Sequence, residues 1–367
     1  MPQVMLKTGA IVPAAGLASR MGECKATMEI EGKPALTWIV TSLRESGIDD
    51  VTVVTGHWRD QVEPLARALN CSTVHNPEYM DGMFSSAKKG IKSIPQEWDR
   101  FFFLPVDVPL VRPSTLSRLT EEEGSLVYPR FMGKRGHPPL IHRSLIDRIL
   151  SWDGGMGLRG ALESLEPLAC DVTVIDQGID LDMDRPKDHR YISSLATRRD
   201  LPTDMEIKAL EELAGTPENV LRHEMRVTQT AIDIASLLEE RGFRMDKDLL
   251  RAAALLHDLC RTEKKHGLAG AELLRNQGFF SVARLVATHM DHPYDGTLDE
   301  GTVLYLADKL TCNDGLCSID QRLAGMMAKF KGDEKAQEGA VRRLKKAQTI
   351  LDHLSDILGR NAMEALR

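Results

Sequence analysis

The period of the hydrophobic pattern changes once along this chain, and that change constrains the architecture more than any single motif. From Gly9 to about Asp176, short β-rich runs alternate with helical patterns, and residues 10–13, 51–55, 101–104 and 172–175 are the clearest predicted strands. Such alternation predicts an α/β, Rossmann-like domain built on a mostly parallel sheet with helices on both faces. After Tyr191 the period switches. From Asp204 onward the apolar residues keep helical spacing with almost no strand signal, which predicts an all-α domain. The stretch Ala196-Thr-Arg-Arg-Asp-Leu-Pro-Thr203 is polar, contains a proline and falls at the switch. The expected division is therefore a first domain over 1–195, a linker over 196–203 and a second domain over 204–367. A length of 367 residues agrees, since single cores stop growing well below that size.

Composition narrows the function. With 42% hydrophobic and 28% charged residues and no apolar run of bilayer-crossing length, no membrane role is expected. The apolar stretch near Gly9 runs straight into a glycine-bearing loop without a basic leader, so it reads as a first strand. A net charge of -7 argues against a dedicated nucleic-acid binder and favours small phosphorylated partners. The six cysteines show no C-x-x-C pair or disulfide framework, which suits a reducing, cytoplasmic location.

The first strand ends in Pro13-Ala-Ala-Gly-Leu-Ala-Ser-Arg-Met-Gly-Glu-Cys-Lys25. Ala14, Ala15 and Gly16 are small enough to let a triphosphate approach backbone N–H groups, and Arg20 and Lys25 can neutralise its charge. Alone, such a loop also fits an ordinary strand-to-helix turn with solvated cations. The ordered set that follows it carries more weight: Gly32-Lys33-Pro34, Asn76 with Gly82 and Ser85-Ser86, Leu104-Pro-Val-Asp-Val-Pro109, Gly136-His137-Pro138 and Asp182-Met-Asp-Arg-Pro-Lys-Asp188. Over roughly the first half of the chain this order resembles the MobA-like nucleotidyltransferases, and within them the molybdenum cofactor cytidylyltransferases.

The resemblance implies attack of an acceptor phosphate on the α-phosphorus of a nucleoside triphosphate, with CTP favoured by the Ala-Ala-Gly loop and molybdopterin as the phosphorylated acceptor. A molybdoenzyme would then be a partner. Asp107, between two prolines after an apolar run, should stand at a strand's C-terminal end and hold Mg²⁺, although a strand-end Asp can also cap a turn. Asp182, with Asp184 as the alternative, would complete the metal site; either could instead cap the helix starting near Pro186. Asn76, Ser85 and His137 are assigned to the nucleotide or acceptor side by the same resemblance. One departure leaves the acceptor open. Where the family often has Gly-Asp before a glycine and arginine, this chain reads Gly154-Gly-Met-Gly-Leu-Arg159. A sugar, polyol or aminoalcohol phosphate is the alternative acceptor.

The helical half holds His223, His257-Asp258 after the apolar run Ala252-Ala-Ala-Leu-Leu256, then His266, His289 and Asp308. Imidazoles and carboxylates gathered from several helices suit Mn²⁺, Fe²⁺, Mg²⁺ or Zn²⁺ rather than a soft thiolate site. A carboxylate following five apolar residues is costly to bury unless paired or metallated. The pattern resembles the HD domains, in the dinuclear branch that includes the bacterial diadenosine tetraphosphate hydrolases. It implies four core ligands, His223, His257, Asp258 and Asp308, with His266 and His289 completing a second position, and hydrolysis of a phosphate ester or anhydride. His292 reads as a neighbour; Lys309 and Arg261 read equally as phosphate-holding or solvated cations. A regulatory module that binds a nucleotide without turnover is the alternative for this half.

Overall fold

The computed structural model describes residues 6–17, 21–153, 155–312 and 315–367. The chain divides into two compact units, Met1–Arg199 and Asp200–Arg367. Part of the stretch expected as a linker belongs to the first unit. The Arg199 guanidinium is buried there, donating to Ser42 Oγ at 2.9 Å and to the Val111 carbonyl, while Arg112 donates to the Arg199 carbonyl. A buried guanidinium needs such acceptors, which is why the chain is held beyond Ala196.

The sheet of the first unit runs through β1 (Thr8–Ala14), β2 (Val51–Thr55), β3 (Ser72–His75), β4 (Arg100–Phe103), β5 (Leu126–Phe131), β6 (Leu140–His142) and β7 (Ala169–Thr173), in the spatial order β7-β5-β6-β4-β1-β2-β3. A short segment, Lys134–Arg135, pairs with β5. Every neighbouring pair on the main path is parallel except those made by β6, which runs antiparallel to β4 and β5. Ala10, Ile11 and Val12 are all fully buried. Because successive strand side chains point to opposite faces, this unbroken burial means that both faces of β1 are covered. The strand expected over 172–175 forms three residues earlier, as β7. Its pairing partner β5 ends near Arg130, and Asp176 is drawn out of the ladder to accept from Arg112 N and Thr115 Oγ1 at 2.8 and 2.7 Å.

The helices of this unit include α1 (Ala35–Glu45), α2 (Arg59–Ala68), α3 (Met83–Lys92), α4 (Pro113–Thr120) and α5 (Pro186–Ala196). Helix α3 lies on β1 and β2 through Ala87, Gly90 and Ile91.

The second unit is helical: α6 (Asp204–Ala214), α7 (Glu218–Glu239), α8 (Lys247–Leu256), α9 (His266–Asn276), α10 (Phe280–Thr288), α11 (Glu300–Leu310), α12 (Ile319–Lys329) and α13 (Glu334–Leu358). Helix α6 starts at a capping box in which Thr203 Oγ1 accepts from Glu206 N and Glu206 Oε2 accepts from Thr203 N. Helix α11 is buried on every face from Gly301 to Leu310 and packs against α7, α8, α10 and α13. A helix apolar nearly all round occupies the middle of its domain. One expectation fails here. Cys312 and Cys317 are joined in a disulfide, with Cα atoms 5.8 Å apart. The short antiparallel pair Thr311–Cys312 and Gly315–Leu316 turns the chain back and brings the two together, a reversal with no signature in the cysteine spacing.

Gly9 shows how tightly the sheet is filled, since a Cβ there would fall 2.2–2.3 Å from the Trp98 ring. Gly9→Ala is therefore expected to destabilise the first unit by about 1–3 kcal/mol through overpacking. All four tryptophans, at positions 38, 58, 98 and 152, lie in that unit, so denaturant unfolding followed by tryptophan fluorescence reads it separately. An unchanged midpoint would show that Trp98 has room to move.

Candidate functional sites

In the first unit, the strand ends converge on one loop. The β1–β4 ladder extends past the strands as Leu104 and Val106 donate their N–H groups to Ile11 and Pro13, carrying the chain to Asp107 beside the small-residue loop. The Met183 N–H donates to the Asp107 carbonyl at 2.8 Å, which brings the 182–184 segment alongside. Gly56 permits the close approach of β2 to that loop, because a Cβ there would meet the Ala15 carbonyl at 2.5 Å.

Between these elements Lys25 Nζ donates to Asp107 Oδ2 at 3.1 Å and to Asp184 Oδ1 at 2.7 Å. Burial works to lower the pKa of this ammonium, but the charge of Asp107 and the hydrogen bonds to Asp184 and Asp107 outweigh it and hold it above its ordinary value. Desolvation, followed by the negative charges of Asp107, Asp184 and Asp180, raises the neighbouring Asp182. Two carboxylates thus contact Lys25 and a third, Asp182, lies within their field, a gathering of carboxylate oxygens that suits a divalent cation. Asp184 does not serve as the N-cap of α5; Arg185 occupies that position and its N–H is bound by Asp188 Oδ2.

A cavity of about 400 Å³ opens here, lined by Ala14, Ala15, Gly16, Lys25, Asp107 and Asp184. Arg20 lies outside the described residues. Asn76 and Ser85 are not among the lining residues. Asn76 is buried, donating to Ser85 Oγ and Ser86 Oγ at 2.9 Å each and accepting from Glu78 N, so its polar atoms hold the loop that starts α3. Ser86, and not Ser85, faces the cavity. His137 also lies off the lining. Burial lowers its pKa against the raising charges of Asp107 and Asp180, and its Nδ1 is buried without a hydrogen-bond partner among the described residues. Sequence reasoning missed the apolar wall of Trp58, Tyr79, Met80 and Met83, which come from separate segments with no pattern to join them. At the family departure, Arg159 is exposed and pairs with Glu163 at 2.7 Å.

In the second unit, the structure brings all six expected residues together. His223 Nε2 lies 3.2 Å from Asp308 Oδ1, while His266 Nε2 and His289 Nε2 lie 3.1 and 3.4 Å from Asp258 Oδ1. His257 Nε2 stands between the carboxylates, 3.8 Å from Asp258 Oδ2 and 3.9 Å from Asp308 Oδ1. Two three-donor groups result: His223 with His257 and Asp308, and Asp258 with His266 and His289.

The ring orientations are fixed locally. His257 Nδ1 and His289 Nδ1 lie 2.8 and 2.7 Å from the carbonyls of Ala254 and Val286, each three residues back at a helix end. With Nδ1–H donating there, Nε2 presents a lone pair to the site. Burial drops His257 to about 4 despite the nearby carboxylates, so the ring is neutral near pH 7. Its Nε2 is buried and has no hydrogen-bond partner among the described residues, which suits a metal ligand. Asp258 and Asp308 are held well below the carboxylate range. Desolvation opposes this; for Asp258 the opposing influences are led by His257, and for Asp308 by Lys309.

Lys309 is not a solvated cation. It is buried, donates to Asp308 Oδ2 and lies 3.3 Å from the His289 carbonyl. Arg261 contacts Asp258 Oδ1 at 3.2 Å and His266 Nε2 at 3.0 Å. His292 lies outside both groups and bonds Thr302 Oγ1. Sequence reasoning missed Glu224. Burial, reinforced by the charge of Asp258, lifts its carboxyl to about 9, and its Oε1 accepts the Asp258 N–H at 3.1 Å. Only the packing of α7 on the end of α8 reveals it.

Residues 10–168 match the model of the MobA-like NTP transferase domain and residues 220–313 that of the HD domain. The chain is 25% identical over 181 residues to the molybdenum cofactor cytidylyltransferase of Escherichia coli (strain K12), covering 48% of this chain and 91% of that protein. It is 35% identical over 77 residues to the choline-phosphate cytidylyltransferase of Haemophilus influenzae, covering 20% and 33%. An uncharacterized protein of Methanocaldococcus jannaschii is 37% identical over 73 residues, covering 19% and 43%. The chain thus spans less than half the length of these last two relatives.

Because Asp258 touches both groups, Asp258→Ala is expected to lower the divalent metal content from about two ions per chain to one or none while circular dichroism stays helical. Elemental analysis of the full-length protein measures this. Undiminished metal in a folded variant would remove Asp258 from the ligand set.

Proposed function

On the premise that the chain carries a MobA-like NTP transferase domain followed by an HD domain, we propose that the first unit transfers CMP from CTP to a small phosphorylated acceptor, molybdopterin being the favoured one. The observation that carries this reading is the Lys25 ammonium set between Asp107 and Asp184 at the mouth of the Ala14-Ala15-Gly16 loop. The likeness to two cytidylyltransferases supports the choice of base.

The acceptor phosphate oxygen forms a bond to the α-phosphorus, and pyrophosphate leaves with the electrons of the broken anhydride bond. The chain's part is to align two anions and neutralise them. Backbone N–H groups of the small-residue loop meet the phosphates at close range, and Lys25, with Arg20, neutralises the departing pyrophosphate. A Mg²⁺ ion held by Asp107 with Asp182 or Asp184 would neutralise further triphosphate charge. A second acceptor class is favoured by one feature: Trp58, Tyr79 and Met80 make an apolar and aromatic cavity wall that suits an aminoalcohol phosphate such as phosphocholine.

For the second unit we infer metal-dependent hydrolysis of a phosphate ester or anhydride, carried by the orphaned His257 Nε2 between two carboxylates. Divalent ions such as Mn²⁺, Fe²⁺ or Mg²⁺ would spread the charge that develops on phosphorus. The protein's residues prepare for this: Lys309 keeps Asp308 ionised, and Glu224 pins the Asp258 backbone.

Pyrophosphate release from CTP, GTP, ATP and UTP, with molybdopterin, phosphocholine or no acceptor, tests the transferase reading. CTP should be preferred, and Asp107→Ala should reduce the rate about 10²-fold or more in a folded protein. Normal rates in that variant, or a preference for another base, would overturn the corresponding assignment.

A further inference from the structure

The cavity beside the histidine and carboxylate cluster of the second unit is large, about 1380 Å³. Small-molecule sites run to roughly 300–1,000 Å³, so a lone phosphate monoester would leave much of it empty. Its charge is also one-sided. Among the described lining residues the carboxylates are Asp258 and Asp308, both engaged in the cluster, whereas Arg322 and Lys329 of α12 and Arg343 of α13 bring cations to the same space. Arg343 Nε is shut off from solvent with no hydrogen-bond partner among the described residues. Arg322 donates to the Thr311 carbonyl and lies 3.6 Å from Asp308 Oδ1, which fixes its guanidinium at the border between cluster and cavity. Lys329 is exposed, its Nζ 5.9 Å from the Phe330 ring centre.

Cations lining one concavity repel each other unless an anion spans them, and the concavity concentrates their field. Helices α12 and α13 lie beyond the 220–313 segment that matches the HD domain. This wall is therefore an addition of the C-terminal helices to the metal-binding core.

Resting on the hydrolase reading above, we propose that the second unit acts on polyphosphates: the scissile phosphate sits at the histidine and carboxylate cluster, and at least one further phosphate lies against Arg322, Lys329 and Arg343. Water oxygen forms a new bond to phosphorus and the bridging anhydride P–O bond breaks. Its electron pair leaves on the departing phosphate, and a proton from the water passes to solvent. Nothing is oxidised or reduced, and water is the co-reactant.

The test uses the full chain with Mn²⁺. Hydrolysis of inorganic tripolyphosphate, a nucleoside triphosphate and a dinucleoside tetraphosphate is compared with that of a nucleoside monophosphate and p-nitrophenyl phosphate. At least one polyphosphate should exceed the monoesters 100-fold in kcat/KM, which of the three does so identifying what extends beyond the phosphates. Lys329→Glu and Arg343→Gln should each shrink that preference at least tenfold, mainly through KM. A preference for monoesters, or one unmoved by both variants, overturns the proposal. If nothing is hydrolysed, the hydrolase reading fails, and equilibrium binding of tripolyphosphate with Mn²⁺ decides the wall. A site weakened at least tenfold in Lys329→Glu, whose exposed side chain can change without disturbing the core, supports it. Equal affinity in wild type and both variants sinks it.

Discussion

The second unit is organised around a carboxylate kept ionised inside a helical core. Asp308 sits on α11, a helix with no solvent-facing side, where an unpaired charge would cost several kcal/mol. Lys309, the next residue on the same helix, supplies the counter-charge, and His223 and His257 approach from α7 and the end of α8. Asp258 repeats the arrangement with His266, His289 and Arg261. Removing Lys309 would take the adjacent ammonium from a buried carboxylate. The packing of α7, α8, α10 and α13 around α11 and the geometry of the cluster are thus one constraint seen twice.

The first unit solves a related problem in a different way. Its carboxylates gather at strand ends, where open α/β sheets leave a crevice, and Lys25 bridges two of them, Asp107 and Asp184. The small residues Ala14, Ala15 and Gly16 and the absent side chain of Gly56 let backbone crowd the loop from two sides. Carboxylates and an ammonium line one part of this cavity, and Trp58, Tyr79 and Met80 line another.

Much of this was legible in the chain. The change of period set two architectures, because alternation and helical spacing are properties of local sequence. The His257-Asp258 pair after an apolar run announced a buried charge, and four more donors in order completed the set. Less visible were Glu224, Trp58, Tyr79 and the cations of α12 and α13, each of which owes its place to contacts between distant segments. Asn76 and Ser85, which family order assigns to the nucleotide or acceptor side, stand off the cavity lining, and the Asn76 amide bonds Ser85, Ser86 and Glu78.

What the sequence by itself determined is the periodicity of each half, the small-residue loop after the first strand, and the inventory of imidazoles and carboxylates available for chemistry. Tertiary structure alone decided which of them meet. It set Lys25 between Asp107 and Asp184 and placed His257 Nε2 between two carboxylates, without a hydrogen-bond partner among the described residues. It also closed Cys312 onto Cys317 and turned Arg322, Lys329 and Arg343 toward one cavity. The reason is physical: periodicity and propensity act over a few residues, whereas charge, burial and hydrogen bonding act over ångströms between groups that the chain order keeps far apart.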